Sequence, residues 1–197
     1  MSKSKGNVAD PWEAVEEHGA DAVRWYFITS SNPWVPKRYD PAAVSEARRR
    51  FFDTLLNTYK FFALYASVEE WSPSENDPDP HARPLLDRWL LARLDSVVDE
   101  VSRELEGYQI TRAYRSLSDF VVEDLSNWYV RRSRPRFWGN SDRDDMAAAF
   151  RTLWEALKTV ALLAAPVAPF VTDWLHRALT GESVHLQRFP ERLGLDD

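Results

Sequence analysis

Cysteine is absent from the 197 residues, which removes disulfides and thiolate metal sites together. The four histidines are scattered without close spacing, so a zinc centre has no ligand set to build on. No apolar run approaches the roughly 20 residues that a bilayer-spanning helix needs. The first 30 residues also lack the apolar centre and cleavage pattern of a signal peptide. A reducing, cytoplasmic setting with no membrane partner is the expectation that follows. Lysine is scarce, five against twenty arginines, which favours planar, bidentate and stacking contacts over point charges. No G-x-x-x-x-G-K-[ST] phosphate loop occurs anywhere.

What is present is material for a core: 44% of residues are apolar and 13% aromatic, ample for one sizeable core or two small ones. A net charge of -6 argues against a surface that coats nucleic acid indiscriminately. The distribution is more informative than the sum. Between Val68 and Pro80 lie five acids and no base, whereas Leu125 to Arg143 holds five arginines against one acid, Asp142.

Proline and glycine divide the chain into helical pieces. Asp10-Pro11 reads as a helix start, and Gly19 breaks that segment before Ala20 to Ser30 resumes it, giving a short helix pair. Prolines 33, 36 and 41 make the next stretch a connector. Val44, Ala47, Phe51, Leu55, Tyr59, Phe62 and Ala66 then recur at helical spacing. Ser72 to Pro84, with four prolines, reads as an exposed loop. A second stripe runs from Leu86 through Leu90, Leu94 and Val101 to Leu105 and ends at Gly107. A third runs from Ile110 to Trp128 with Thr111 as candidate N-cap, and a fourth from Met146 to Ala164. Pro166 and Pro169 set off a shorter helix around Phe170 to Leu179. Period-two alternation is lacking until Ser183 to Phe189, read as a short extended tail. The predicted fold is all-α: an antiparallel helix bundle preceded by a short helical connector. Stripe residues are predicted to be core, while Trp12, Trp25, Trp34 and Trp71 fall off the stripes and are candidates for a partner surface.

Two stretches carry chemistry. In "NWYVRRSRPRFWGN", Asn127 to Asn140, Arg131, Arg132, Arg134 and Arg136 sit among Trp128, Tyr129, Phe137 and Trp138. Guanidinium groups among aromatic rings suit RNA, pairing with phosphates and stacking on unpaired bases. A solvated helix end, its arginines facing the C-terminal dipole, fits the same residues. The opening "MSKSKGN" reads either as a soluble terminus or as a loop that brings an ammonium and backbone amides to phosphate.

The ordered run "MSKSKGNVADPWEAVEEHGADAVRWYF" resembles the segment that begins at the Lys-Met-Ser-Lys-Ser signature of class I aminoacyl-tRNA synthetases, in the subgroup for isoleucine, valine, leucine, methionine and cysteine. "SSNPWVPKRYD" and "DLSNWYVRRSRPRFW" are similar to its isoleucine-specific members. "LLAAPVAPFVTDWL" and "ESVHLQRFP" resemble the helix junction and closing segment of the subgroup's anticodon-binding domain. The His-Ile-Gly-His signature, the catalytic domain and the editing domain of the family are not in the sequence, which reads as an excised part of a longer protein.

The resemblance implies a division into 1–38 (signature loop and helical connector, touching the inner side of the tRNA), 39–190 (helical anticodon-binding domain) and 191–197 (tail). It implies that Lys3, flanked by Ser2 and Ser4, stabilises charge on the phosphates of ATP, used by the parent enzyme with Mg. Such stabilisation works only in a site that excludes water. The chain alone is therefore expected to have no aminoacylation activity, no bound cofactor and no metal. The implied partners are the tRNA for isoleucine and the remainder of the parent synthetase, with the chain itself a monomer. The implied tRNA-binding residues are Arg131, Arg132, Arg134 and Arg136, then Trp128, Tyr129 and Trp138. An independent helical protein-interaction module and the equivalent domain of a valine enzyme are the alternatives.

Overall fold

A computed structural model describes residues 10–37, 39–138 and 142–195. Among them every regular element is helical. The connector is the pair α1 (Pro11–His18) and α2 (Ala20–Thr29). As the sequence predicts, Asp10 caps α1 by accepting from the Trp12 amide at 2.8 Å, and Pro11 fills the first turn. Gly19, at φ 84, turns the chain between the helices in a backbone region that side-chain-bearing residues avoid.

The bundle has four long runs. The first, 41–68, comprises α3 (Pro41–Arg48), a π-helical turn (Arg49–Asp53) and α4 (Thr54–Val68). The second is α5 (Leu85–Glu106). The third, 110–133, comprises α6 (Ile110–Asp119), a π-helical stretch (Phe120–Val130) and α7 (Arg131–Ser133), continued by a 3-10 turn (Arg134–Phe137). The fourth is α8 (Arg143–Ala164), which α9 (Pro169–Thr180) follows. The stripes face inward: Val44, Phe51, Leu55, Leu90, Leu94, Val101, Leu117, Leu125, Phe150, Leu157 and Val160 are all buried. Burial of these faces is the main stabilising term, about 1.5–3 kcal/mol for each large apolar side chain.

Three local features differ from the sequence reading. Thr111 lies inside the first turn of α6, and its hydroxyl donates to the Ile28 and Ser31 carbonyls at 2.8 and 3.1 Å rather than capping its own helix. α5 ends at Gly107 as the sequence predicts, and the left-handed residue of the link is Tyr108, at φ 57. Ser183 to Phe189 contains a 3-10 turn (Val184–Leu186), held by Asp173, which accepts from the Ser183 hydroxyl at 2.5 Å and the Val184 amide at 3.0 Å. Trp25 is core: its ring stacks on Phe51 with centroids 3.8 Å apart and meets Phe52 and Tyr114 edge-on. Trp71 likewise stacks on Phe150, whereas Trp12 and Trp34 are exposed.

Polar contacts fasten α2 at both ends. Near its start, Asp21 accepts from the Phe170 and Val171 amides at 3.1 and 2.7 Å, taking up donors that the first turn of α9 cannot satisfy itself. Burial raises the Asp21 pKa, and those two amides oppose the shift. Arg24 donates to the Val167 and Pro166 carbonyls at 2.8 and 3.0 Å, between α8 and α9. At the other end, Arg115 of α6 donates to the Thr29 and Ser30 carbonyls at 2.7 and 2.8 Å. The loop from 69 to 84 is tied down through Arg83, whose guanidinium reaches Glu155 at 2.7 and 3.2 Å and Thr152 at 3.0 Å. Near the chain's end, Asp95 of α5 accepts from the Leu193 and Leu195 amides at 2.7 and 2.9 Å, and Leu195 is buried.

Candidate nucleic-acid interface

The arginine and tryptophan stretch occupies the end of the third run, where regular helix gives out. Through Phe120–Val130 the backbone is π-helical, a rare geometry that recurs at functional positions. Pro135 lacks an amide hydrogen and lies in the 3-10 turn that replaces helix after Ser133. The segment therefore sends neighbouring side chains in different directions, and the four arginines have three kinds of surroundings.

Arg132 is exposed, and its guanidinium carbon lies 3.7 Å from the centroid of the Trp128 ring, a close cation-π stack. Trp128 is 45% exposed, and Trp89 of α5 lies beside it with centroids 6.2 Å apart. Arg134, also exposed, faces the other flank, 6.0 Å from the Phe61 ring of α4. There Trp138, 39% exposed, packs on Tyr65 at 5.1 Å. Arg131 is exposed, and while its backbone amide donates within the helix, its guanidinium makes no hydrogen bond or ion pair among the described residues. Two aromatic and arginine clusters thus flank the break in the helix. Trp89, Phe61 and Tyr65 belong to them although they lie on the first two runs, and only the fold brings them there.

Arg136 and Tyr129 point inward. The Arg136 guanidinium grips the fully buried Asp87 carboxylate with two hydrogen bonds of 2.7 Å each. Its Nε donates to both Asp145 carboxylate oxygens at 3.0 Å, and Nη2 donates to the Asp145 carbonyl at 3.1 Å. Tyr129, without exposed surface, donates its hydroxyl to Asp87 Oδ1 at 2.6 Å. Burial pushes the Tyr129 phenol pKa up, and the neighbouring Asp87 charge pushes the same way. For Arg136, burial alone would lower the pKa, but the hydrogen bonds to Asp87 and Asp145 outweigh it and raise the value. Of the residues named by resemblance, Arg131, Arg132 and Arg134 are therefore exposed, whereas Arg136 and Tyr129 are turned towards carboxylates. Each needs its hydrogen-bonding groups satisfied, and the partners are the fully buried Asp87 carboxylate for both and the partly exposed Asp145 carboxylate for Arg136.

Ser2, Lys3 and Ser4 lie outside the described residues. Among the described residues no group of three or more His, Asp or Glu is placed to hold a metal ion, and no helix is long and apolar enough to cross a membrane. A cleft lined by Trp25, Tyr26, Arg50, Arg115 and Asp119 opens between the connector and the bundle. None of its lining residues belongs to the 127–138 stretch, and its charged rim is partly neutralised by the Arg50–Asp119 pair at 2.8 Å.

Residues 87–196 match the family described as the anticodon-binding domain of tRNA ligase, and residues 1–34 match that of class I tRNA synthetases (I, L, M and V). The chain is 50% identical to an isoleucine–tRNA ligase of Thermus thermophilus over 97% of its own length and 19% of the relative's. It is 49% identical to the isoleucine–tRNA ligase of Porphyromonas gingivalis over 96% of its length and 17% of that protein. The chain thus spans less than a fifth of these relatives. In the crystal structure of the ternary LeuRS-tRNA-LeuAMS complex of Agrobacterium radiobacter, a similar fold covers 98% of this chain and 22% of that one, with a TM-score of 0.71 at 22% identity.

Proposed function

Because the chain belongs to the family of anticodon-binding domains of tRNA ligases, we propose that it is the tRNA-recognising part of an isoleucine–tRNA ligase. The parent enzyme joins isoleucine to its tRNA with ATP. In this reading 39–190 is the anticodon-binding domain, 1–38 links it to the catalytic part and touches the tRNA on the way, and 191–197 is a tail. The residues linked to ATP by resemblance, Ser2, Lys3 and Ser4, lie outside the described structure. The chemistry of the described residues is recognition.

The observation that carries the reading is the exposed Trp128–Arg132 stack beside Trp89. An anticodon loop presents unstacked bases, each with a π face, on a backbone of closely spaced phosphates. An indole or a guanidinium plane accepts a base by stacking, worth about 1–3 kcal/mol per base. The exposed charges of Arg131 and Arg134 are free to meet phosphates. Stacking and base-edge contacts supply the sequence dependence that phosphate contacts alone lack. The net negative charge elsewhere leaves this patch as the preferred landing place for a polyanion.

Labelled tRNA for isoleucine, titrated against an unrelated tRNA at several salt concentrations, tests this. The cognate tRNA is expected to bind more tightly, with log affinity falling by about 0.7–0.9 per neutralised phosphate for each unit of log salt. Changing Arg131 and Arg132 together to alanine should weaken binding by about tenfold or more, the worth of one stacked base, with helix content unchanged. Unchanged affinity in that variant removes the surface from the proposed site.

A further inference from the structure

The polar centre built on Asp87 lies close in sequence to aromatic rings on both flanks of the break. Asp87, fully buried on α5, is two residues from Trp89. Tyr129, fully buried, directly follows Trp128, and Arg136 is two residues before Trp138. The half-buried Trp89 and the exposed Trp128 and Trp138 are each therefore covalently close to one member of a single hydrogen-bonded group, and the group is centred on one carboxylate. Asp87 accepts three hydrogen bonds of 2.6 to 2.7 Å, two from Arg136 and one from Tyr129. Arg136 carries the connection on to Asp145 at the start of α8.

The backbone of this region is poorly suited to hold a register unaided. π-helical, α-helical and 3-10 geometry succeed one another between residues 120 and 137. A fork-shaped guanidinium bonded to a buried carboxylate is directional, unlike apolar contact, and tolerates little sliding. Burying an ion pair adds little net stability over well-packed apolar residues, so its separable effect is geometric.

Resting on the proposed tRNA-binding role of the surface, we propose that Asp87, with Arg136 and Tyr129, forms a positioning centre. It sets the spacing of Trp89, Trp128 and Trp138 to match a run of unpaired bases. None of its three members touches RNA. They act through the indoles and through Arg132.

The test uses the 197-residue chain with Asp87→Leu and Arg136→Met combined, an apolar pair that removes the network without leaving a lone buried charge. Urea unfolding, indole N–H resonances in 15N–1H spectra and affinities for cognate and unrelated tRNA are measured together. The expected result is a near-parental unfolding midpoint, displaced Trp89 and Trp128 indole resonances, and cognate affinity lower by about tenfold with discrimination reduced. A stable double variant with unmoved indole resonances, or with full affinity and discrimination, overturns the proposal. Should the pair fail to fold, Tyr129→Phe keeps the ring and removes one donor to Asp87. It is expected to move the Trp128 resonance and weaken cognate binding, and if it does neither the proposal fails. If the Arg131 and Arg132 alanine variant leaves affinity unchanged, the surface assignment fails first. If that variant weakens binding while the network variants do not, only the positioning role is refuted.

Discussion

Changing Arg83 to methionine keeps most of the buried side-chain volume and removes the charge. The Arg83 side chain is 2% exposed and that of Glu155 12%. The substitution deletes two charge-assisted hydrogen bonds to Glu155, one to Thr152 and one to the Pro78 carbonyl at 2.9 Å. Removing one partner of a buried ion pair costs about 3–5 kcal/mol when the survivor is left uncompensated. Glu155 here retains Arg151, whose Nε donates to it at 2.7 Å, so the lower end, about 3 kcal/mol, is expected. With a urea dependence near ~2 kcal/mol per molar, the unfolding midpoint should fall by about 1.5 M, read by far-ultraviolet circular dichroism. Combining Arg83→Met with Glu155→Leu should recover much of the loss, because the cost of keeping the Glu155 charge buried with only Arg151 beside it disappears. A single-variant shift below about 0.3 M would refute the reasoning, since it would mean that this pair contributes no more than a surface one. Arg83 also immediately precedes Pro84, the N-cap of α5, so its loss should loosen the turn that carries Asp87 and Trp89.

Trp25→Ala should destabilise the protein by about 3–5 kcal/mol, the usual range for a large aromatic removed from a core. Trp25→Phe should do less, and a Trp25→Ala thermal midpoint equal to the parent's would contradict the stacked geometry with Phe51. Asp173 is held at a pKa of about 2 by hydrogen bonds from Arg177 and then Ser183, below its ordinary 3.8. A depressed carboxylate stabilises the fold above its unfolded pKa, and that contribution is lost as pH falls from about 4 towards 2. Carboxyl NMR should locate this titration near pH 2, and Asp173→Asn should abolish the contribution while releasing the turn at Val184–Leu186; titration near 4 would exclude the hydrogen-bonded geometry.

The bundle was legible because its helices bury stripes. Leu90, Leu94, Val97, Val98 and Val101 recur at spacings of three and four, and all are buried. The π-helical stretches were not legible, since their slightly wider turns leave apolar residues close enough to helical spacing for Phe51, Phe52 and Leu55, or Phe120, Val121 and Leu125, to pass as one stripe. Trp25 fell off every stripe because its partners Phe51 and Tyr114 are distant in sequence. The same holds at the candidate interface. Arg131, Arg132 and Arg136 look alike in the chain, and what separates them is Asp87, 49 residues from Arg136. Local composition identified the stretch but could not say which side chains the fold would turn inwards, nor that Trp89, Phe61 and Tyr65 would join it.

The two fastened ends of α2 bear on how force crosses the molecule. A ten-residue helix is about 15 Å long, and here its first turn is bolted to the α8–α9 junction by Asp21 and Arg24, while its last turn is bolted to α6 by Arg115 and Thr111. Loaded from either end, it behaves as a strut and has little freedom to swivel. Gly19 stands immediately outside the first bolt in a backbone conformation open mainly to glycine. A change of direction between α1 and α2 would have to be taken up at Gly19 and at the contact of His18 with Ser45 of α3, while α2 stays tied to α6 and to the head of α9.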